Sequence, residues 1–146
     1  MWTETKPRFS GCDQSGAIYP AAPRNMKMVS QPPIVTLKEA LTKGPPPAGN
    51  LAVPIFAHGT LAVELYTPQG RDPQKPHTRD EIYFVARGKG HFFDGTKQHA
   101  VEPGSFIFVP AGQAHRFESF SPDFAVWVAF YGPEGGEGNM KPAKRP

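Results

Sequence analysis

The chain has 146 residues and a formal net charge of +3, which suits one ordinary domain. A single cysteine, Cys12, excludes a fold stapled by internal disulfides, and the longest apolar run, Phe124–Tyr131, is far too short to span a membrane. The 18 prolines and 15 glycines exclude a helical bundle, whereas 11 Phe, 4 Tyr and 2 Trp exclude a chain without a core. A compact all-β domain is therefore predicted.

The two ends of the chain are predicted to lie outside the folded core. Residues 1–30 are expected to be a loose or disordered leader, and residues 132–146 a flexible tail. The polar stretch 12–16 stands where a secretory signal needs an apolar segment, so we expect a cytoplasmic protein. The early methionines Met26 and Met28 leave open whether residues 1–27 belong to the natural start.

The folded domain is predicted over residues 31–131. Its first segment, Ile34–Lys43, is expected to form a short strand that runs into one helical turn and stops at Gly44 and the three prolines after it. Eight strand-length segments separated by turn residues follow, which predicts a sandwich or small barrel over about residues 51–131. The eight segments are Leu51–Ala57, Thr60–Tyr66, Glu81–Arg87, Lys89–Asp94, Lys97–Glu102, Ser105–Val109, Ala114–Ser119 and Phe124–Tyr131.

Two imidazoles and one carboxylate stand at positions from which they can converge. On an extended chain, side chains two or four residues apart share a face, so His77 and Glu81 point the same way. His115 begins another strand directly after a Pro-x-Gly turn. If these strands pair or face each other, the three side chains form a set suited to Fe(II), Mn(II), Zn(II) or Ni(II), with coordination positions left open.

Neighbouring residues of the same parity are candidates for contact with a ligand. Arg79 is expected either to reach the cavity and clamp a carboxylate or to pair with Asp80 or Glu81. Tyr83 could offer its hydroxyl to the same cavity. Asp80 has the opposite parity and is predicted to be an outward, solvated charge.

Residues 70–88 and 104–119 resemble the paired signature motifs of the cupin superfamily. The second motif matches at Gly104, Pro110, Gly112 and His115, and Ser119 stands where the motif has Asn. The first motif matches at three positions and departs from the pattern at two. It matches at His77, Glu81 and Gly88, its leading glycine is displaced by one place at Gly70, and Lys75 replaces its first histidine.

The resemblance implies a double-stranded β-helix, or jelly-roll barrel, with Pro-rich extended termini. It further implies that His77, Glu81 and His115 bind a divalent metal inside the barrel. Lys75 stands in place of the usual fourth ligand, and a protonated amine has no lone pair to donate. Small cupins pair through N-terminal strands and sheet faces, so the resemblance also implies a homodimer, for which Ile34–Leu37 is the candidate edge-pairing segment.

Three functions fit this pattern. The first is a metal-dependent enzyme of the oxygenase or isomerase/lyase type, acting on a small anionic molecule that Arg79 or Lys75 orients. The second is a non-catalytic module or sensor that binds a small ligand or a metal. The third is a structural or partner-binding protein with a relict site. The basic residues are scattered, so neither nucleic acid nor a membrane is expected as a partner.

Overall fold

The computed structural model describes residues 34–139. The leader predicted for residues 1–30 lies outside the described residues, and so does the segment 140–146 of the predicted tail. No helix in the described part of the chain is long and apolar enough to cross a membrane.

The first element is a short helix, α1 (Leu37–Leu41), which begins with a capping box. The Thr36 side chain accepts a hydrogen bond from the Glu39 backbone N–H at 3.2 Å, and the Glu39 carboxylate accepts one from the Thr36 N–H at 2.7 Å. The predicted helical turn is thus confirmed. The strand predicted before it is wrong, because residues 34–36 form no strand and lead directly into the cap.

Eight strands follow, one for each predicted segment, and they form two antiparallel sheets. The five-stranded sheet has the order β1-β2-β8-β3-β6, and the three-stranded sheet has the order β5-β4-β7. This architecture confirms the predicted all-β jelly-roll fold. The strands are β1 (Ala52–His58), β2 (Leu61–Tyr66), β3 (Asp80–Arg87), β4 (Gly90–Phe93), β5 (Gln98–Val101), β6 (Phe106–Val109), β7 (Arg116–Glu118) and β8 (Ala125–Tyr131), and a 3-10 turn, Glu137–Asn139, comes last.

The main core lies between the two sheets, where alternate residues of each strand point inward. Tyr83 of β3 and Phe117 of β7 are fully buried and meet edge to face, with ring centroids 5.1 Å apart. A smaller cluster lies on the outer face of the five-stranded sheet, where Ala40 of α1 packs on Leu65 and Ala125. The helix therefore covers one part of that outer face.

Asp80, at the start of β3, is buried instead of solvated, so the prediction for it is wrong. Its carboxylate accepts hydrogen bonds from the backbone N–H of Ala111 at 2.9 Å and of Glu137 at 2.7 Å. The turn after β6 and the segment after β8 fold over this end of the strand. Strand parity alone could not reveal that cover, because it comes from residues distant in the sequence.

Ser119, directly after β7, has a φ of 48° and is the only residue other than glycine with positive φ in the described range 34–139. Side chains with a Cβ strain the backbone in this left-handed region, and Asn tolerates it better than most. The position is the one where the resembled motif carries Asn. The backbone conformation gives a physical reason for that preference.

Candidate metal centre

The structure brings His77, Glu81 and His115 together at the end of the barrel. His77 comes from the segment before β3, Glu81 from β3 itself, and His115 from the residue before β7. One ligand atom from each of the three lies within 4.8 Å of the others. Since β3 and β7 belong to different sheets, the strands meet by facing each other across the core.

Backbone carbonyls orient both imidazole rings. His77 Nδ1 lies 2.6 Å from the Arg79 carbonyl oxygen, and His115 Nδ1 lies 2.9 Å from the Gln113 carbonyl oxygen. A carbonyl only accepts, so each Nδ1 carries the proton and donates it. The Nε2 atoms therefore point at Glu81: His115 Nε2 is 3.2 Å from Glu81 Oε2, and His77 Nε2 is in close contact with the same oxygen. Metal-binding histidines are held in the same way by their second nitrogen.

The donor set at this point fits a divalent cation. Glu81 is only 1% exposed, and neither its oxygens nor His77 Nε2 has a hydrogen-bond partner among residues 34–139. Buried acceptors that face one another without a donor are destabilising unless a positive charge lies between them. Two imidazole nitrogens and a carboxylate are ligands that Fe, Mn, Zn and Ni accept. The cluster could therefore hold such an ion.

The electrostatics of the cluster also favour positive charge. Burial pushes the pKa of Glu81 upward, but the close contacts with His115 and His77, and the positive charge of these rings when they are protonated, together outweigh burial and hold that pKa below its ordinary value. Burial pushes the pKa of His115 downward, but the contact with Glu81, the bond to the Gln113 carbonyl and the negative charges of Glu81 and Asp72 together outweigh burial and raise that pKa.

Tyr83 extends the cluster into the core. Its hydroxyl oxygen lies 3.0 Å from His115 Nε2, and the hydroxyl donates to Gln74 Oε1 at 2.7 Å. Burial and the negative charge of Glu81 raise the pKa of the phenol, so it stays protonated. The sequence analysis named Tyr83 on parity alone, and the structure places its hydroxyl against a candidate ligand.

Asp72 and Gln74 were missed by the sequence analysis. The buried Asp72 carboxylate accepts four hydrogen bonds: from Tyr66 OH (2.6 Å), Gln74 N (3.0 Å), Gln74 Nε2 (2.7 Å) and Phe117 N (2.7 Å). It fixes the segment before β3 to both sheets and holds the Gln74 amide against Tyr83. The only signal in the sequence was an aspartate followed by proline, which is typical of a turn.

Neither of the two basic candidates forms an ion pair with the candidate ligands in the described range. Arg79 Nε donates to the Gly132 carbonyl at 3.1 Å, and its buried Nη2 has no hydrogen-bond partner in the described range. No ion pair joins Arg79 to Asp80 or Glu81 there, so the predicted pairing with these carboxylates is not formed. Lys75 is exposed and lines a pocket of about 540 Å³ together with Gln74 and Arg116.

Glu64 of β2 is a second missed carboxylate. It is half-buried and lies in register with Val128 of β8, whose side chain belongs to the main core. Burial, followed by the negative charge of Glu81, raises the pKa of Glu64. Glu64 shares one face of its strand with Ala62 and Tyr66. A charged residue on the face that carries the apolar residues was the signal that could have identified it.

Comparison with known protein families and sequences gives consistent results. The family model described as a cupin domain matches residues 62–131. An uncharacterized protein of Streptomyces coelicolor is 46% identical over 76 residues, which cover 51% of this chain and 72% of that protein. The dimethylsulfoniopropionate lyase DddQ of Ruegeria pomeroyi is 31% identical over 80 residues, 53% of this chain and 40% of the lyase. Acireductone dioxygenase 1 of Pectobacterium atrosepticum is 36% identical over 69 residues, 44% of this chain and 40% of the dioxygenase.

Both named enzymes are thus matched over less than half of their own length. Among solved structures, a cupin-2 domain-containing protein from Shewanella frigidimarina superimposes with a TM-score of 0.55 at 11% identity. The superposition covers 68% of this chain and 95% of that one, and it concerns the fold alone.

Proposed function

Because this chain belongs to the cupin superfamily, we propose that it is a metal-dependent enzyme acting on a small organic molecule. His77, Glu81 and His115 would hold the divalent ion. The observation that carries this proposal is the buried acceptor cluster: two Nε2 atoms with fixed tautomers and a carboxylate whose oxygens lack hydrogen-bond donors. A polar cluster of this kind is costly as a structural element and useful as a metal site.

Three protein ligands leave coordination positions open for a substrate. When bound, Fe, Mn, Zn or Ni would supply Lewis-acid chemistry or a site for oxygen. One relative is named a lyase and another is named a dioxygenase, so each of these two chemistries has an example among the relatives. The fold does not decide between them, because one fold supports many reactions. We therefore propose the broader class, oxygenase or isomerase/lyase.

The surrounding residues suit a substrate with an acidic group. The Tyr83 phenol is neutral and donates its hydrogen to Gln74, so it places no negative charge beside His115 that would repel an anion. The unpartnered Nη2 of Arg79 can bind a carboxylate. Lys75, Arg71 and Arg116 give the pocket beside Gln74 an excess of basic side chains, which favours an anion approaching from that side.

Metal analysis of protein purified without added metal tests the proposal. We expect about one equivalent of Fe, Mn, Zn or Ni per chain, or uptake of one equivalent on addition. The variant Glu81→Gln should lose the metal, whereas Glu118→Gln, which changes a carboxylate paired with Arg116 away from the cluster, should retain it. A chain that takes up none of these ions overturns the proposal.

A non-catalytic metal- or ligand-binding module is the second candidate. It is favoured by the exposed Lys75, which leaves the site one ligand short of the resembled four. Oxygen uptake and product formation by the metal-loaded protein on a panel of small acids, phenols and thiols separate the two. Binding of a panel member without turnover would support the module.

We also propose that two copies associate through the uncovered part of the outer face. Phe84, Phe106 and Phe108 are 49%, 57% and 47% exposed there. With about 200 Å² per phenylalanine, they offer about 300 Å² per copy, against about 800 Å² per partner in a standard interface. β6 is also an edge strand without charge or proline, whereas β1 at the opposite edge carries Pro54. Pairing of β6 with β6 of a second copy would add the remaining area.

A further inference from the structure

We infer that Glu64 binds a positively charged group of the molecule held at the His77–Glu81–His115 centre. The inference rests on the proposed function and adds a substrate class to it. The substrate would carry a cationic group, such as an ammonium, in addition to the group that reaches the metal.

The register of the sheet places Glu64 on the same inward face as Glu81. Glu64 pairs with Val128 of β8, and Val128 pairs with Tyr83 of β3, so the three form one row across the sheet. Neighbouring strands are about 4.8 Å apart, which puts the Glu64 and Tyr83 backbones about 10 Å apart. The next row toward the barrel end contains Phe130 and Glu81. Glu64 and Glu81 therefore face the same interior of the barrel, with Glu64 one row farther from the barrel end than Glu81.

Glu64 is the inward-facing carboxylate that the fold leaves unused. Asp72 accepts four hydrogen bonds and Asp80 accepts two backbone N–H groups. Glu81 belongs to the ligand cluster. Glu64 makes no hydrogen bond or ion pair with any residue in the range 34–139. No described residue therefore donates to the Glu64 oxygens, and a bound ligand can do so.

A cation fits this position better than a neutral donor does. Burial is the main cause that disfavours the ionised form of Glu64, and a cationic partner that donates a hydrogen bond offsets this cost. The candidate metal site consists of three residues whose ligand atoms lie within 4.8 Å of one another, and Glu64 is not one of them. We therefore do not count Glu64 as a metal ligand. A charge-assisted hydrogen bond to a bound ammonium is the interaction that remains.

The basic group nearest the centre lies at the other end of this arrangement. Arg79 contacts Gly132, beyond the row of Phe130 and Glu81. Along the barrel, the order is thus Arg79, the metal ligands and then Glu64. A molecule with an acidic group toward Arg79 or the metal and a cationic group toward Glu64 would match the order of charges. The substrate class is therefore a small amino acid or a related zwitterion.

The test uses the full chain loaded with Co²⁺, whose visible spectrum changes when a ligand enters its coordination sphere. Two isosteric pairs are titrated: 3-aminopropionate against butyrate, and 5-aminopentanoate against hexanoate. Each pair differs only in an ammonium in place of a methyl group. Wild-type protein should bind the ammonium member of at least one pair about tenfold more tightly, the effect of one hydrogen bond to a charged group.

In Glu64→Gln that preference should disappear while Co²⁺ loading and the affinity for the methyl member stay unchanged. Glu102→Gln, an exposed glutamate outside the barrel, should behave as wild type. Equal affinities within both pairs in the wild type, including no detectable binding of any member, would overturn the inference, as would a preference that survives in Glu64→Gln. A chain that takes up no Co²⁺ fails at the earlier step and overturns the proposed function itself.

Discussion

Replacing Asp72 by asparagine should destabilise the fold by about 2–3 kcal/mol. The amide nitrogen must occupy the place of one carboxylate oxygen. At Oδ2 it would face the buried N–H of Phe117, which cannot change its role. At Oδ1 it would face Tyr66 OH, which can rotate to accept, and the N–H of Gln74, which cannot. The second orientation costs less because the Gln74 backbone is less buried than that of Phe117. In it, the Gln74 N–H loses its partner, and the other hydrogen bonds to residue 72 no longer involve a charged acceptor.

Urea denaturation followed by far-UV circular dichroism measures this change as a shift in midpoint at constant m value. Asp123→Asn is the matched control, because Asp123 is exposed and its pair with Arg87 is long, at 3.9 Å. We expect the control to change stability by less than about 0.5 kcal/mol. A change of that small size for Asp72→Asn as well would refute the assignment of four hydrogen bonds to this carboxylate.

Three further predictions concern other parts of the molecule. Ser119→Asn should raise the unfolding free energy, measured by urea denaturation, by about 0.5–1 kcal/mol. Ser119→Ala keeps the same strained φ and should give no gain. Equal stability of the two variants would show that the backbone at this position is unstrained. His115→Ala should abolish metal uptake with unchanged β-sheet circular dichroism, and loss of the fold would instead make this histidine structural. Phe106→Glu should convert a dimer into a monomer in sedimentation velocity, while Lys97→Glu, in the turn before β5, should not. A wild-type monomer at micromolar concentration would contradict the proposed association.

The strands and the three candidate ligands could be identified because their signals are local. Turn residues mark every strand boundary, and the spacing of His77 and Glu81 fixes their common direction once the segment is extended. His115 joined them through the motif that precedes its strand. The convergence of His115 with His77 and Glu81 was conditional on their strands pairing or facing each other, a condition that the structure meets.

The errors and omissions all depend on contacts between distant residues. Asp80 is buried because Ala111 and Glu137 fold over it, and neither contact is visible in the local pattern. Glu64 matters only because β8 places β2 within two strands of β3. Asp72 reads as a turn residue until Phe117, which lies 45 positions away, becomes its partner. These contacts depend on the order of the strands in each sheet and on the loops that pack over the strand ends. Neither can be inferred from local patterns in a single sequence.

The three candidate ligands connect the two sheets, and this connection has a consequence for the stability and abundance of the protein in a cell. An ion bound there would cross-link the two sheets, and its binding free energy would add to the free energy of unfolding. At a free metal concentration of about 100 times the dissociation constant, the gain would be about 2.7 kcal/mol. Chains made during metal scarcity would open more often and meet proteases more often. The abundance of this protein would then follow the supply of its metal, without any change in its synthesis.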